Sequence, residues 1–433
     1  MTPRLILLPL CFAATLHGRE VQPKPADAFF EKYVGDLAPA TPKLLLQKDD
    51  KLAICGDSIT EQKMYSRIVE TYLTACLPEL HVTCRQYGWS GEQAGGFLGR
   101  MKNDVLRFKP TIATTCYGMN DHQYVPYKEE IGAAYRQNQT GIVRMFKEAG
   151  ARVVLGSSGT IHSVPSWVKT ATGTWEDLNL SLLKLRNIDI EIAETEQVAF
   201  ADVYWPMLVG SRAAVQKYGD GFHLEGGDGV HPGWAGQVVM AAAFLQGMGV
   251  DGNLGEITID LSANAVATSG GHESLGFANG ELNLRSSRFP LSAPGGDVAK
   301  DDNLKAGIAL IDFHNKFNRL TMKVTHANAA RYVVKWGTES KEFTAEALAK
   351  GINLAAEFEN HPLNAPWQKI WTAVGAKQEF ETHQIKGLFH GPEGAADLEG
   401  TVAKSEVEHA KLAEALRASY APVEHSLTLS PLP

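Results

Sequence analysis

The chain has 433 residues, 44% of them hydrophobic and 21% charged, which is the composition of a globular protein long enough for two or three domains. Its formal net charge is −8 and no long basic run occurs, which excludes the basic face that nucleic-acid binding requires. Five cysteines are too few for a disulfide scaffold, and none stands in a CxxC or Cys/His zinc spacing.

At the N-terminus Arg4 precedes the apolar run Leu5 to Ala14, followed by small residues. This pattern reads as a signal peptide over residues 1–18, with cleavage near Gly18, and predicts a secreted or periplasmic protein. The run is too short to span a bilayer. Residues 19–50 read as a leader with a short helix at "ADAFFEKYVGDL".

Residues 51–250 alternate between β-branched runs and amphipathic stretches. "KLAIC", "HVTCRQY", "TIATTCY", "RVVLGS" and "VAFADV" read as strands. Between and after them, "QKMYSRIVETYLTACL", "AGGFLGRMKNDVLRF", "EEIGAAYRQNQTGIVRMFKEAG", "WEDLNLSLLKLRNIDIEIAETEQ" and "GWAGQVVMAAAFLQGMG" read as helices. Five strands alternating with helices imply an α/β domain with a mostly parallel sheet covered on both faces. Cys55 and Cys116 end apolar strands and read as buried thiols; Cys76 and Cys84 flank "LPELHVT", and a disulfide between them stays open.

Residues 251–433 follow a different grammar and read as an α+β appendage. "GEITIDLS", "GIALIDF", "RLTMKVTH" and "ARYVVKWG" are expected as antiparallel strands. "TAEALAKGINLAAEF", the stretch Trp367 to Ile385 and "SEVEHAKLAEALRASY" are expected as helices, with "EHSLTLSP" a final strand.

Ligands of such sheets bind outside the carboxyl ends of the strands. Polar residues stand there at "GDS" (56–58), "YGWSGEQ" (87–93) and "YGMNDH" (117–122), and a fourth segment, "DGVHPGW", spans 228–234. Acyl transfer needs a hydroxyl nucleophile, an imidazole base, a carboxylate to orient it, and donors for the developing oxyanion. Ser58, His231 and Asp228 can supply the first three. The N–H groups of Ser58 and Gly91 with the Asn120 amide can supply the donors. Ser58, with Glu61 three residues on, also fits a plain helix-capping box, and Asp57 and Asp121 read as local turn and cap residues.

These four blocks, in this order, resemble the SGNH (GDSL-type) hydrolase superfamily over roughly residues 50–250. The match runs through GDS at 56–58, Gly91 (with Gly88 as its rival), GxND at 118–121 and DxxH at 228–231; Ile59 departs from the leucine of the name motif. The resemblance implies a flavodoxin-like three-layer α/β/α domain and a serine esterase with no cofactor and no metal. It carries over as a triad of Ser58, Asp228 and His231 and an oxyanion hole of Ser58, Gly91 and Asn120.

Expected partners are acylated small molecules or polysaccharides, with O-acetyl groups on carbohydrate the first choice. The family equally hosts lipase, lysophospholipase and thioesterase chemistry. Trp89, His122 and Trp234 are candidate substrate contacts, and Trp167 and Trp175 lie in segments that can border the site. A second alternative is a metal-dependent phosphoesterase, because "DGFHLEGGDGVH" crowds Asp220, His223, Glu225, Asp228 and His231 into one loop.

Overall fold

A computed structural model describes residues 19–433, so the signal-peptide expectation and Cys11 fall outside the described residues. Lys51–Gly56 (β1), Thr83–Gln86 (β2), Ile112–Cys116 (β3), Arg152–Gly156 (β4) and Ala199–Ala201 (β5) form an all-parallel sheet of order β2-β1-β3-β4-β5. Side chains alternate between its faces, and both faces are covered. Ala53, Cys55, Ala113, Val153 and Leu155 pack under helices Ala94–Asp104, Glu129–Glu148 and Trp175–Glu196. Leu52, Ile54, Ile112 and Val154 pack under Tyr65–Cys76 and Trp234–Gly247. The result is the expected α/β/α sandwich, with strand order reversing between β1 and β3, the position where such sheets bind ligands.

In chain order the helices of this layer system are Ser58–Glu61 (α1), Tyr65–Cys76 (α2), Ala94–Asp104 (α3), Glu129–Glu148 (α4), Trp175–Glu196 (α5), Tyr204–Tyr218 (α6) and Trp234–Gly247 (α7). Helix α6 has no counterpart among the expected elements; Pro206 sits in its first turn, where a missing N–H costs nothing. The leader forms one 3-10 turn, Ala28–Phe30, instead of the expected helix. Its backbone is committed elsewhere: Val21 bridges Asp36, and Arg186 Nη1 donates to the Asp36 carbonyl. Cys55, Cys76, Cys84 and Cys116 are free and buried, and the Cys76 thiol donates to the Phe289 carbonyl.

The C-terminal half adds two sheets. Ile352–Asn353, Arg319–Thr325, Asn253–Asp260 and Ala265–Thr268 form one; Glu339–Thr344, Arg331–Trp336, Val423–Pro431, Glu281–Ser286 and His272–Ala278 form the other. Three expectations need correction. Asn253–Asp260 and Arg319–Thr325 pair in parallel, because a long connection carrying helices separates them. "GIALIDF" is not a strand: Leu304–Leu310 is a helix, capped by the Asn303 side chain on the Ala306 N–H and packed on α7, where Gly307 lies against Ala235 and Val238. "TAEALAKGINLAAEF" splits into the short helices Ala345–Lys350 and Leu354–Glu357 around Gly351.

Helix Asn364–Thr382 lies along α2 and closes the β2 edge of the parallel sheet. Its buried Lys377 donates to the Cys84 carbonyl at 2.9 Å, and Glu381 accepts the Gln86 N–H at 3.0 Å. An exposed edge would leave both backbone groups open to another chain. The pair is itself balanced: Lys377 Nζ lies 3.0 Å from Glu70 and 2.5 Å from Glu381. The helix continues as a π-helical stretch, His383–Phe389. Among the described residues no helix is long and apolar enough to cross a membrane.

Candidate active site

Ser58 is the first residue of α1, separated from the end of β1 by Asp57 alone. It is not the helix cap. Asp57 fills that role, its Oδ1 accepting the Ile59 N–H at 3.0 Å, so the Ser58 hydroxyl is free for another partner. That partner is His231: Nε2 lies 2.8 Å from Ser58 Oγ. On the other side of the ring, Nδ1 lies 2.7 Å from Asp228 Oδ2. Asp228 Oδ1 accepts the N–H groups of Val230 and His231, each at 2.9 Å. Partial burial pushes the Asp228 carboxyl up, but the two backbone N–H groups and the His231 ring outweigh it and hold it below the usual carboxylate range. The carboxylate is therefore ionised and oriented at neutral pH.

The expected oxyanion donors lie after three strand ends at one edge of the sheet: Ser58 after β1, Gly91 after β2 and Asn120 after β3. Among the described residues the N–H groups of Ser58 and Gly91 have no hydrogen-bond partner. Gly91 adopts φ +74°, a conformation other residues rarely reach, and a Cβ there would meet nothing within 4 Å. Gly88, its rival in the sequence, does something else: a Cβ there would collide with the backbone of Thr60 and Glu61, so Gly88 lets the loop pass close beneath α1. Asn120 follows β3, and its Nδ2 donates to the Glu92 carbonyl at 3.1 Å. One amide hydrogen thus fixes the side chain and leaves the second for a ligand.

The loops are braced from below. Asp121 accepts the N–H of Gly118 and of Ala94, each at 3.0 Å, tying the third block to the start of α3. Burial pushes the Asp121 carboxyl up to about 6, and burial with the nearby Asp121 charge takes Asp57 up to about 7. Glu92 is gripped by Arg100 through Nε at 2.6 Å and Nη2 at 2.7 Å and receives the Tyr117 hydroxyl at 3.0 Å. Arg100 lies eight residues from Glu92 on the next helix, a spacing with no local signature in the sequence.

The remaining candidates divide. His122 is wholly buried with both ring nitrogens unpartnered, and burial lowers it to about 4; its ring meets Tyr124 at a 52° tilt and offers no surface to a ligand in this structure, against its expected role as a binding residue. Trp89 packs its half-buried ring among Arg100, Lys386 and His390. Trp234 opens α7 and leans on Trp371. Trp167, 46% exposed, stacks over the His231 ring at 5.8 Å. Trp175 stacks on Phe29 of the leader instead.

The acidic and histidine residues of "DGFHLEGGDGVH" do not converge. Glu225 is buried on Thr160 and Ser211, His223 stacks on His162, and Asp228 serves His231. Among the described residues no group of three or more His, Cys, Asp or Glu side chains is placed to hold a metal ion.

The sequence model of the GDSL-like lipase/acylhydrolase family matches residues 54–239, a segment that contains all four blocks. This segment is an SGNH-superfamily hydrolase domain. No curated protein matches the chain. Among solved structures, a gut microbial diltiazem-metabolizing enzyme aligns over 91% of this chain and 100% of its own, at TM-score 0.71 and 21% identity. That likeness covers both halves of the fold. An acetylxylan esterase from Geobacillus stearothermophilus aligns over 47% of this chain and 96% of its own, at TM-score 0.38 and 23% identity. Residues 54–239 thus place this domain, by sequence, among esterases and acylhydrolases.

Proposed function

We propose that the protein is a serine esterase of the SGNH type that removes short O-acyl groups, acetyl first among them, from carbohydrate outside the cytoplasm. One observation carries the chemistry: a single imidazole bridges the Ser58 hydroxyl at 2.8 Å and the Asp228 carboxylate at 2.7 Å. His231 Nε2 takes the Ser58 proton as Oγ attacks the ester carbonyl. Asp228 holds the Nδ1–H and stabilises the imidazolium that forms. The N–H groups of Ser58 and Gly91 and the Asn120 amide receive the oxyanion. The imidazolium then protonates the departing alcohol, and a water deprotonated by His231 releases the acid.

The carbohydrate reading is supported by Trp167, which offers an exposed flat face beside His231. The short acyl reading is supported by the exposed polar residues beside the oxyanion donors, Ser90 and Gln93, the latter donating to the Asn120 carbonyl. Export rests on the N-terminal apolar run.

Two outcomes are expected. Asn120→Ala lowers kcat on p-nitrophenyl acetate by about 10²–10³-fold with little change in KM, as removal of one oxyanion donor does elsewhere. Across p-nitrophenyl esters, kcat/KM for the acetate exceeds that for the octanoate by at least about tenfold, the range that a few methylenes command in a pocket. Reversed rates would move the protein to lipase or thioesterase chemistry. Acetate release from a panel of acetylated glycans tests the alcohol side directly.

A further inference from the structure

The loop that carries Gly91 is anchored by the C-terminal half of the chain. Ser90, its immediate neighbour, donates both its N–H (2.5 Å) and its hydroxyl (2.6 Å) to Glu61 Oε2. Glu61 ends α1, the helix that Ser58 begins. Lys386, from the π-helical stretch His383–Phe389, donates to both oxygens of the same carboxylate, at 2.7 and 2.9 Å. The Lys386 ammonium also lies 5.3 Å from the centre of the Trp89 ring, and His390 meets that ring edge-on at 4.9 Å. Burial opposes the charge on Glu61, but Lys386 and Ser90 outweigh it and keep the carboxyl below its ordinary range.

Every residue of the turn around Gly91 is therefore held. Trp89 is held by Lys386 and His390, Ser90 by Glu61, and Glu92 by Arg100. Gly91 itself has no side chain and no backbone partner among the described residues. The position of its N–H is set through these neighbours, together with the Trp89 N–H on the Gly56 carbonyl and the Glu92 N–H on the Trp89 carbonyl, both at 3.1 Å. A π-helical stretch is rare; Lys386 within it and His390, which caps its end, meet on the Trp89 ring.

We infer that Lys386 is a positioning residue for ester hydrolysis: through Glu61 and Ser90 it sets where the Gly91 N–H stands relative to Ser58, so the C-terminal half completes the oxyanion hole. This rests on the esterase reading above. An N–H aimed at the developing oxyanion acts at the transition state and contributes little to substrate binding. Losing its anchor therefore lowers kcat and spares KM.

The test uses the full chain, p-nitrophenyl acetate and a trifluoromethyl ketone whose hydrated carbonyl adds to serine as an oxyanion. Lys386→Met is expected to lower kcat by about tenfold, the scale of a misplaced rather than deleted group, with KM changed by less than about twofold. Inhibition by the ketone weakens by the same factor, and Lys386→Arg restores most of both. Glu61→Gln alone shows the same pattern, and the double variant is no worse than the weaker single one, because both break one chain of contacts. Lys386 is 30% exposed in its side chain, so its replacement is not a core substitution. Wild-type kcat and ketone affinity in Lys386→Met, or multiplicative losses in the double variant, would overturn the inference. A wild-type protein that neither hydrolyses the ester nor binds the ketone would instead overturn the esterase reading itself.

Discussion

Ser58→Ala is expected to abolish turnover of p-nitrophenyl acetate, by about 10⁴–10⁶-fold in kcat, because removing a serine nucleophile costs nearly all that a triad supplies. The fold is expected to survive. Helix α1 is capped by Asp57 and not by Ser58, so the substitution deletes a hydroxyl whose partner is His231 and no backbone cap. Surface-type changes without such structural bonds shift stability by roughly 0.5 kcal/mol or less. Steady-state kinetics beside a thermal melt separates the two effects: lost activity at an unchanged Tm assigns Ser58 to chemistry. Retained activity removes it from that role.

Asp228→Asn is expected to be the next most damaging change, lowering kcat by about 10³–10⁴-fold. The reason lies in its two oxygens. Oδ1 accepts the N–H groups of Val230 and His231, and Oδ2 accepts from His231 Nδ1. An asparagine that keeps the two backbone bonds with its oxygen must turn its NH2 toward Nδ1. The imidazole then carries its proton on Nε2, facing Ser58, and cannot take the serine proton. The loop keeps its shape, because both backbone bonds remain. The expected signature is a collapse of kcat with the melting temperature nearly unchanged. An Asp228→Asn enzyme within tenfold of wild type would show that the carboxylate is dispensable.

The five residues of the proposed machinery were legible because they sit in short motifs at strand ends. A parallel sheet gathers those ends on one edge, so Ser58, Gly91 and Asn120 become neighbours without any long-range signal. Asp228 and His231, three residues apart, needed only one turn of loop to meet. The choice between Gly88 and Gly91 was not legible, since it depends on how closely one backbone passes another.

Misreadings came where a short apolar run fits two periodicities. "GIALIDF" has the composition of a strand, yet the Asn303 cap and the apolar surface of α7 make it a helix. His122 stood in a motif, but its ring is buried with both nitrogens unpartnered. The anchoring of the oxyanion loop could not be read at all: Glu61 and Lys386 are separated by 325 positions, and only the folded chain joins them.

The central claim is that Ser58 is a nucleophile activated by His231. Treating the full-length protein with a fluorophosphonate and mapping the modified peptide tests it most directly. The account predicts a single phosphonylated residue, Ser58, with labelling lost in Ser58→Ala and strongly slowed in Asp228→Asn. Labelling that persists undiminished in Ser58→Ala, or that maps to another serine, would contradict it.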